Sequence, residues 1–318
     1  MSRPSPLPAT LAPIARAAEP LYRSVVARRN RGFDRGERVA RAHVPVISIG
    51  NISVGGTGKT PVVMHTLRAL ESMGHRPGVA LRGYRAKTGE PSDEESEYRD
   101  RLPETPLAVS PDRATGIDRL VREDGVDCAV LDDGFQHRFV ARDLDVVLID
   151  ATRSPFEDRC LPAGWLREPV DALARADAVI ITRADRVAST TLETLRAQIE
   201  RVHGRPPVAT AAHVWDGLVD APSGRSDDVS SLDGARVIVA CAIGNPDAFL
   251  AQARAVSGCD VCATVVRRDH HRWSARDVGQ LRRMIRAYSS HALIVTHKDW
   301  VKLRGVVEGA GGLGGARV

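Results

Sequence analysis

From about residue 44 onward, short runs of β-branched and other apolar residues alternate with stretches whose apolar positions recur every three or four residues. Val44–Gly50 (VPVISIG) reads as a buried strand and Pro61–Met73 as the helix that follows it. Pro77–Leu81, Asp127–Leu131 (DCAVL), Asp145–Asp150 (DVVLID) and Ala178–Thr182 (AVIIT) read as further strands. Ala235–Ile243, Val261–Val266 and Ala292–Thr296 continue the series, with an amphipathic helix near Ser274–Ala287. Strands separated by helices are the signature of parallel β-α-β units, so the expected class is α/β, a mostly parallel sheet flanked by helices. The polar stretch Trp215–Asp233 interrupts the alternation and suggests a division into residues 44–220 and 221–318. The glycine-rich tail Gly309–Gly315 reads as a disordered end.

Residues 1–43 follow a different rule. Leu11, Ile14, Ala18, Leu21 and Val25 fall at helical spacing, and Pro13 suits a helix start. Pro20 predicts a break, so two short amphipathic helices are expected rather than one. Residues 1–41 carry nine arginines against Glu19, Asp34 and Glu37, a net of +6, while the remainder is nearly neutral. The overall +5 is therefore a property of this arm. Basic residues beside an anionic leaflet contribute about 1 kcal/mol each, so an apolar stripe with this charge can hold a protein on a membrane surface. Packing on the protein's own core, with the arginines in solvent, is the alternative. Nucleic acid is not expected as a partner, because no aromatic residues interleave the basic ones.

Composition narrows the class further. Apolar residues make up 43% and charged residues 27%, ordinary for a globular chain, and the aromatic share is only 4%, leaving Val, Leu, Ile and Ala to build the core. No apolar run reaches the roughly 18–20 residues of a membrane span, and the N-terminus lacks a signal-peptide core, so an intracellular protein is expected. Five scattered cysteines do not read as a disulfide framework. Cys259-Asp-Val-Cys262 with His270 and His271 has partial zinc spacing but lacks a second pair, and reduced thiols are the expected state.

The chemistry concentrates in two motifs. Ser53-Val54-Gly55-Gly56-Thr57-Gly58-Lys59-Thr60 lies between a strand and a helix, one glycine short of the full phosphate-loop pattern. Such a turn presents backbone N–H groups to phosphate, with Lys59 reaching the terminal phosphates and the Thr60 hydroxyl available to Mg²⁺. Asp132-Asp133-Gly134-Phe135-Gln136-His137 follows a buried strand. Carboxylates at the C-terminal edge of a parallel strand face the ligand crevice, where Asp132 and Asp133 can hold Mg²⁺ directly or through water. Together the motifs specify nucleotide hydrolysis or phosphoryl transfer and leave the acceptor open.

The acceptor enters through a resemblance. Gly50–Pro61, Arg82-Gly83-Tyr84, the DDGFQH motif, Leu161-Pro162-Ala163-Gly164 and Leu166-Arg167-Glu168-Pro169 occur in the order found in the tetraacyldisaccharide 4′-kinase family, which this chain resembles. The resemblance continues through Thr182-Arg183-Ala184-Asp185, Asp269-His270-His271 and Thr296-His297-Lys298-Asp299. It implies ATP and Mg²⁺ as cofactors and phosphorylation of the 4′-hydroxyl of a lipid A disaccharide 1-phosphate precursor. It also implies a peripheral location on the cytoplasmic face of the inner membrane, reached through the basic arm, with no obligate protein partner. The architecture implied is a phosphate-loop domain and a smaller C-terminal α/β domain closing over the active site.

For the chemical step, the resemblance makes Asp93 the base and His270 its partner, with His271 as the alternative, and adds Asp133 to the catalytic set. Arg82, Tyr84, Gln136, His137, Arg167 and Glu168 fall on the substrate side, although Arg82 and Tyr84 equally suit a structural turn. A positioned base contributes about 10²–10⁴-fold, the rest coming from charge neutralisation by Lys59, Mg²⁺ and Arg167. Three positions depart from the family pattern: Ser92 replaces a glycine before Asp93, Arg85 stands where glycine is usual, and His297 where glutamate is common. On residues alone, Asp93 belongs equally to a solvated acidic loop. The rival class is a GTPase or ATPase switch of the partitioning or metallochaperone type. Val54, where that class carries lysine, and the Thr182–Asp185 segment, a poor match to its guanine-reading motif, count against it.

Overall fold

A computed structural model describes residues 6–83, 92–212, 214–215, 217–221, 223–256, 258–269 and 271–318, with the backbone but not the side chain of Asp93. The chain divides into two compact units, Met1–His213 and Val214–Val318. In the first, the elements run α1 (Ala12–Asp34), β1 (Val46–Gly50), α2 (Lys59–Ser72), β2 (Pro77–Leu81), α3 (Asp93–Arg101), β3 (Leu107–Val109) and α4 (Arg113–Asp124). They continue through β4 (Cys128–Asp132), β5 (Leu144–Asp150), β6 (Ala178–Thr182), α5 (Ser189–His203) and β7 (Ala209–Ala211). The seven strands form one parallel sheet in the order β3-β2-β4-β1-β5-β6-β7.

Alternation along the strands sends side chains to two cores, which is why helices cover both faces. In β5, Val146 and Leu148 pack with Val63, Met64 and Leu67 of α2, while Val147 and Ile149 pack with Leu195 and Ile199 of α5. The central strands are buried throughout, so they read as continuous apolar runs rather than alternating ones. The expected α/β class, with its parallel sheet and flanking helices, is the observed one. Because every strand is parallel, all their C-terminal ends meet at one edge of the sheet. The phosphate loop after β1 and the acidic turn after β4 are brought there together, with Ile49 paired to Asp132 in register.

The arm departs from expectation. It is a single helix of 23 residues that runs through Pro20, preceded by a short 3₁₀ turn at Ala9–Leu11. Contacts on either side of the proline hold the helix to the body and offset the missing N–H. Glu19 accepts from the Cys160 backbone N–H at 3.1 Å and pairs with Arg159, and the Tyr22 hydroxyl donates to the Arg167 carbonyl at 2.8 Å. Further along, Asn30 donates to Glu168 at 2.6 Å and Phe33 meets Phe139 edge-on. The face that packs carries Ala15, Glu19, Val26 and Phe33. Ile14, Leu21 and Val25, from the apolar stripe expected to matter, face outward at 67%, 70% and 61% exposure.

The second unit contains β8 (Leu218–Val219), β9 (Ser226–Asp227), β10 (Arg236–Cys241), α6 (Pro246–Ala255), β11 (Asp260–Val266), α7 (Ala275–Tyr288), β12 (Ala292–Val295) and α8 (His297–Gly309). Its three-stranded parallel sheet has the order β11-β10-β12, and β8 pairs antiparallel with β9. Ile238 and Ala240 face α7 and α8, while Val237 and Val239 face α6. The expectation of a disordered tail is corrected here. Leu313 is buried in the core, the Leu293 N–H donates to the Arg317 carbonyl at 2.8 Å, and Arg317 pairs with Asp220 and Asp227. Positive φ at Gly311, Gly312, Gly314 and Gly315 lets the chain turn back onto β12.

Candidate functional site

β1 ends in Gly50, where an added Cβ would lie 2.5 Å from the Cβ of Phe135, so only glycine lets the turn after β4 close against this strand. Beyond it, Gly55 (φ 116°) and Gly58 (φ 85°) adopt the left-handed backbone, and α2 starts at Lys59 directly after Gly58. This is a glycine-rich loop leading straight into a helix N-terminus, the arrangement whose backbone N–H groups receive phosphate. At Gly56 an added Cβ would meet nothing within 4 Å, so the protein's own packing does not require that glycine.

The loop is held from behind. Asn51 donates to the Thr57 hydroxyl at 2.9 Å, the Thr182 hydroxyl donates to the Thr57 carbonyl at 2.8 Å, and Arg183 donates to the Gly56 carbonyl at 3.0 Å while pairing with Asp150. On its other flank the Val54 N–H donates to the Trp165 carbonyl at 2.7 Å and the Arg167 N–H to the Ile52 carbonyl at 2.8 Å. The Leu166–Pro169 motif is thus the neighbour of the phosphate loop, and α1 rests on that same segment through Tyr22 and Asn30.

The adjacent acids after β4 have opposite surroundings. Asp133, in the left-handed region at φ 55°, faces Lys59 Nζ at 3.5 Å and accepts from Arg167 at 2.6 Å. Burial raises its pKa, but the two cations outweigh burial and hold the carboxyl down at about 2, ionised at any ordinary pH. Asp132 is buried with its Oδ2 accepting from the Tyr98 hydroxyl at 2.9 Å. Its Oδ1 has no hydrogen-bond partner among the described residues. Burial, with Glu94 and Asp133 near, pushes this carboxyl up to about 7 against the pull of Lys59 and the Tyr98 hydroxyl.

A buried carboxylate oxygen without a partner is the hard donor that Mg²⁺ prefers, so Asp132, Asp133 and the partly buried Thr60 fit a divalent ion carried with a triphosphate. Elsewhere among the described residues, His75, Asp127 and Cys128 also draw three metal-capable groups together. There the thiol is pushed up to about 12, by burial first and by Asp127, and stays protonated.

The remaining site residues expected from sequence are placed unevenly. The Gln136 side chain donates to the Asn51 carbonyl at 2.8 Å and lies 3.4 Å from Arg167. His137 is pushed down to about 4 by burial and by the guanidinium groups of Arg113, Arg142 and Arg82, so it is neutral at pH 7. Arg82 is exposed and precedes Gly83 at φ 69°. Glu168, expected on the substrate side, is instead wholly buried, bound by Arg175 at 2.8 Å and Asn30 at 2.6 Å, and serves to anchor α1. Tyr84, His270 and the side chain of Asp93 lie outside the described residues. Ser92 caps α3, its hydroxyl accepting from the Glu95 N–H at 3.1 Å, which accounts for serine where the family motif has glycine.

Comparison with known proteins bears on the acceptor. The family described as Tetraacyldisaccharide-1-P 4′-kinase matches residues 10–311. The chain is 36% identical over 327 residues to the tetraacyldisaccharide 4′-kinase of Anaeromyxobacter dehalogenans strain 2CP-C, covering 98% of this chain and 86% of that protein. It is 38% identical over 310 residues to the enzyme of the same name from Anaeromyxobacter sp. strain Fw109-5, covering 92% and 82%. This chain belongs to the tetraacyldisaccharide 4′-kinase family. The crystal structure of LpxK from Aquifex aeolicus in complex with ATP is similar at a TM-score of 0.67 and 25% identity, covering 93% of this chain and 90% of that one.

Sequence reasoning missed Tyr98, Arg113 and the Arg183–Asp150 pair. Arg113 is buried at the start of α4 and donates to the Asp132 carbonyl at 3.3 Å, with Nε and Nη1 unpartnered among the described residues. Tyr98 had a readable signal: it is the one aromatic in the charged segment DEESEYRDR, and a lone ring on such a helix belongs on its buried side.

Proposed function

We infer that this chain transfers the γ-phosphate of ATP to the 4′-hydroxyl of a tetraacyldisaccharide 1-phosphate, the reaction of its family. The observation that carries this reading is the convergence of the Lys59 loop and the Asp132–Asp133 turn at one sheet edge, in a chain matched to the family over residues 10–311. The N–H groups of residues 55–60 and the Lys59 ammonium bind the phosphates. Asp133 holds Lys59 and Arg167 in place until the nucleotide's charge competes for them. Thr60, Asp132 and Asp133 would hold Mg²⁺, which would neutralise charge on the phosphate oxygens.

Asp93 is the assigned base. It opens α3, where the positive end of the helix favours an ionised carboxylate, and it accepts the hydroxyl proton as the sugar oxygen bonds to phosphorus and ADP leaves. Gln136, His137 and Arg167 are assigned to the acceptor side, with Arg82 and Tyr84. The GTPase alternative is the weaker reading, since the family match names a kinase.

The test is transfer from ATP, with GTP in parallel, to detergent-dispersed tetraacyldisaccharide 1-phosphate. Absence of product from protein that binds ATP overturns the acceptor. Asp93→Asn is expected to lower kcat by about 10²–10⁴-fold with ATP affinity unchanged. His270→Ala, compared with His271→Ala, assigns the partner histidine, because His271 is already engaged by Asp277 at 3.1 Å.

The outward stripe of α1, bordered by arginines, is proposed to lie on the anionic cytoplasmic surface of the inner membrane. No helix among the described residues is long and apolar enough to cross a membrane. Sedimentation with phosphatidylglycerol vesicles is expected to lose protein to the supernatant in Leu21→Asp and at high salt. Binding unaltered by both rejects the surface assignment.

A further inference from the structure

We propose that Tyr98 is a positioning residue for the metal-binding carboxylate: its hydroxyl occupies Asp132 Oδ2 and so leaves Oδ1 as the oxygen presented to the divalent ion. This deepens the kinase reading above and rests on it. Asp132 ends β4 in the buried middle of the sheet, where a carboxylate free to rotate would exchange one oxygen for the other. The Tyr98 hydroxyl lies 2.9 Å from Oδ2 and is the side-chain donor that holds it, while Arg113 holds the backbone carbonyl of the same residue. Oδ1 is buried and unpartnered among the described residues, a costly state that a bound cation relieves.

The ring of Tyr98 is buried with Ile49, Val63, Leu81 and Val130, so the hydroxyl cannot swing away. Tyr98 lies on α3, the helix that starts at Asp93, and the same bond ties that helix to the metal-bearing strand end. Partners that orient a metal's ligands affect affinity without touching the ion themselves.

The experiment measures Mn²⁺ binding by electron paramagnetic resonance on the full-length protein saturated with a non-hydrolysable ATP analogue. Tyr98→Phe keeps the buried ring and removes only the hydroxyl. It is expected to weaken Mn²⁺ by about 10-fold, with unchanged affinity for the analogue in the absence of metal. In an Asp132→Asn background the same substitution is expected to add nothing, because its effect passes through that carboxylate. A merely structural role would give equal losses in both backgrounds, and that result overturns the proposal. Wild-type Mn²⁺ affinity in Tyr98→Phe alone overturns it too, provided Asp132→Asn is impaired. If Asp132→Asn itself binds Mn²⁺ like wild type, the metal assignment has failed instead.

Discussion

Both units are parallel sheets with helices on each face, yet their polar residues are used in opposite ways. Among the described residues of the second unit, the two buried carboxylates, Asp277 and Asp299, are satisfied from within. Asp299, wholly buried, accepts from the Ala242 N–H at 3.0 Å, the Trp273 indole at 3.2 Å and the Thr296 hydroxyl at 2.7 Å. Asp277 completes the capping box of α7 and takes His271 and Arg267 besides. In the first unit the sheet edge is left incomplete: Asp132 Oδ1 and two nitrogens of Arg113 are buried without partners among the described residues. Buried polar groups normally find partners, so the incomplete edge is the one shaped around something that arrives later.

That contrast predicts a separation between effects on activity and on stability. Within this comparison the largest effect is expected from Lys59→Ala, which removes the ammonium from the phosphate loop and should lower kcat by about 10²–10³-fold. Its thermal midpoint should stay close to wild type, since Asp133 keeps Arg167. A large fall in that midpoint would erase the distinction. Asp299→Asn should do the reverse, costing about 3 kcal/mol in denaturant unfolding because one of its three donors loses its acceptor. Nucleotide affinity should be preserved; a variant with full stability would show that Asp299 is not the anchor of its unit.

The smallest effect is a dependence on pH. The Asp277 carboxyl, raised by burial but lowered more by Ser274, His271 and Arg267, is held at about 2 against an ordinary 3.8. A depressed acid stabilises the fold fully above its unfolded pKa, and that contribution disappears as pH falls from about 4 toward 2. Wild type should therefore lose more stability across this window than Asp277→Asn. Parallel pH profiles would contradict the assignment.

The longer strands of both units were legible because buried parallel strands are written as uninterrupted apolar runs, and Pro77–Leu81 and Ala178–Thr182 coincide with their observed bounds. The two- and three-residue strands β3, β7, β8 and β9 are too short to leave such a run. The phosphate loop and the paired acids were legible because each is a contiguous segment whose chemistry is local. Harder to read was everything settled by a distant neighbour. Pro20 predicts a broken helix, and only the grip of Glu19 and Tyr22 on residues 160–167 explains an unbroken one. Likewise the Gly309–Gly315 tail has a disordered composition, yet Leu313 fills a core position and Arg317 joins β12. Glu168 falls on the substrate side when read from its motif, but Arg175 and Asn30, remote in sequence or on another element, bind it in a buried position.

By itself, then, the amino-acid order determined the α/β layering, the phosphate loop and the order of motifs that marks the family, because periodicity and backbone chemistry act over a few residues. Tertiary structure alone decided how Asp132 and Asp133 differ. Neighbours along the chain share their composition, but one carboxylate is turned toward Lys59 and Arg167 and the other into the sheet against Tyr98. Electrostatic environment depends on distance through space, and folding sets that distance.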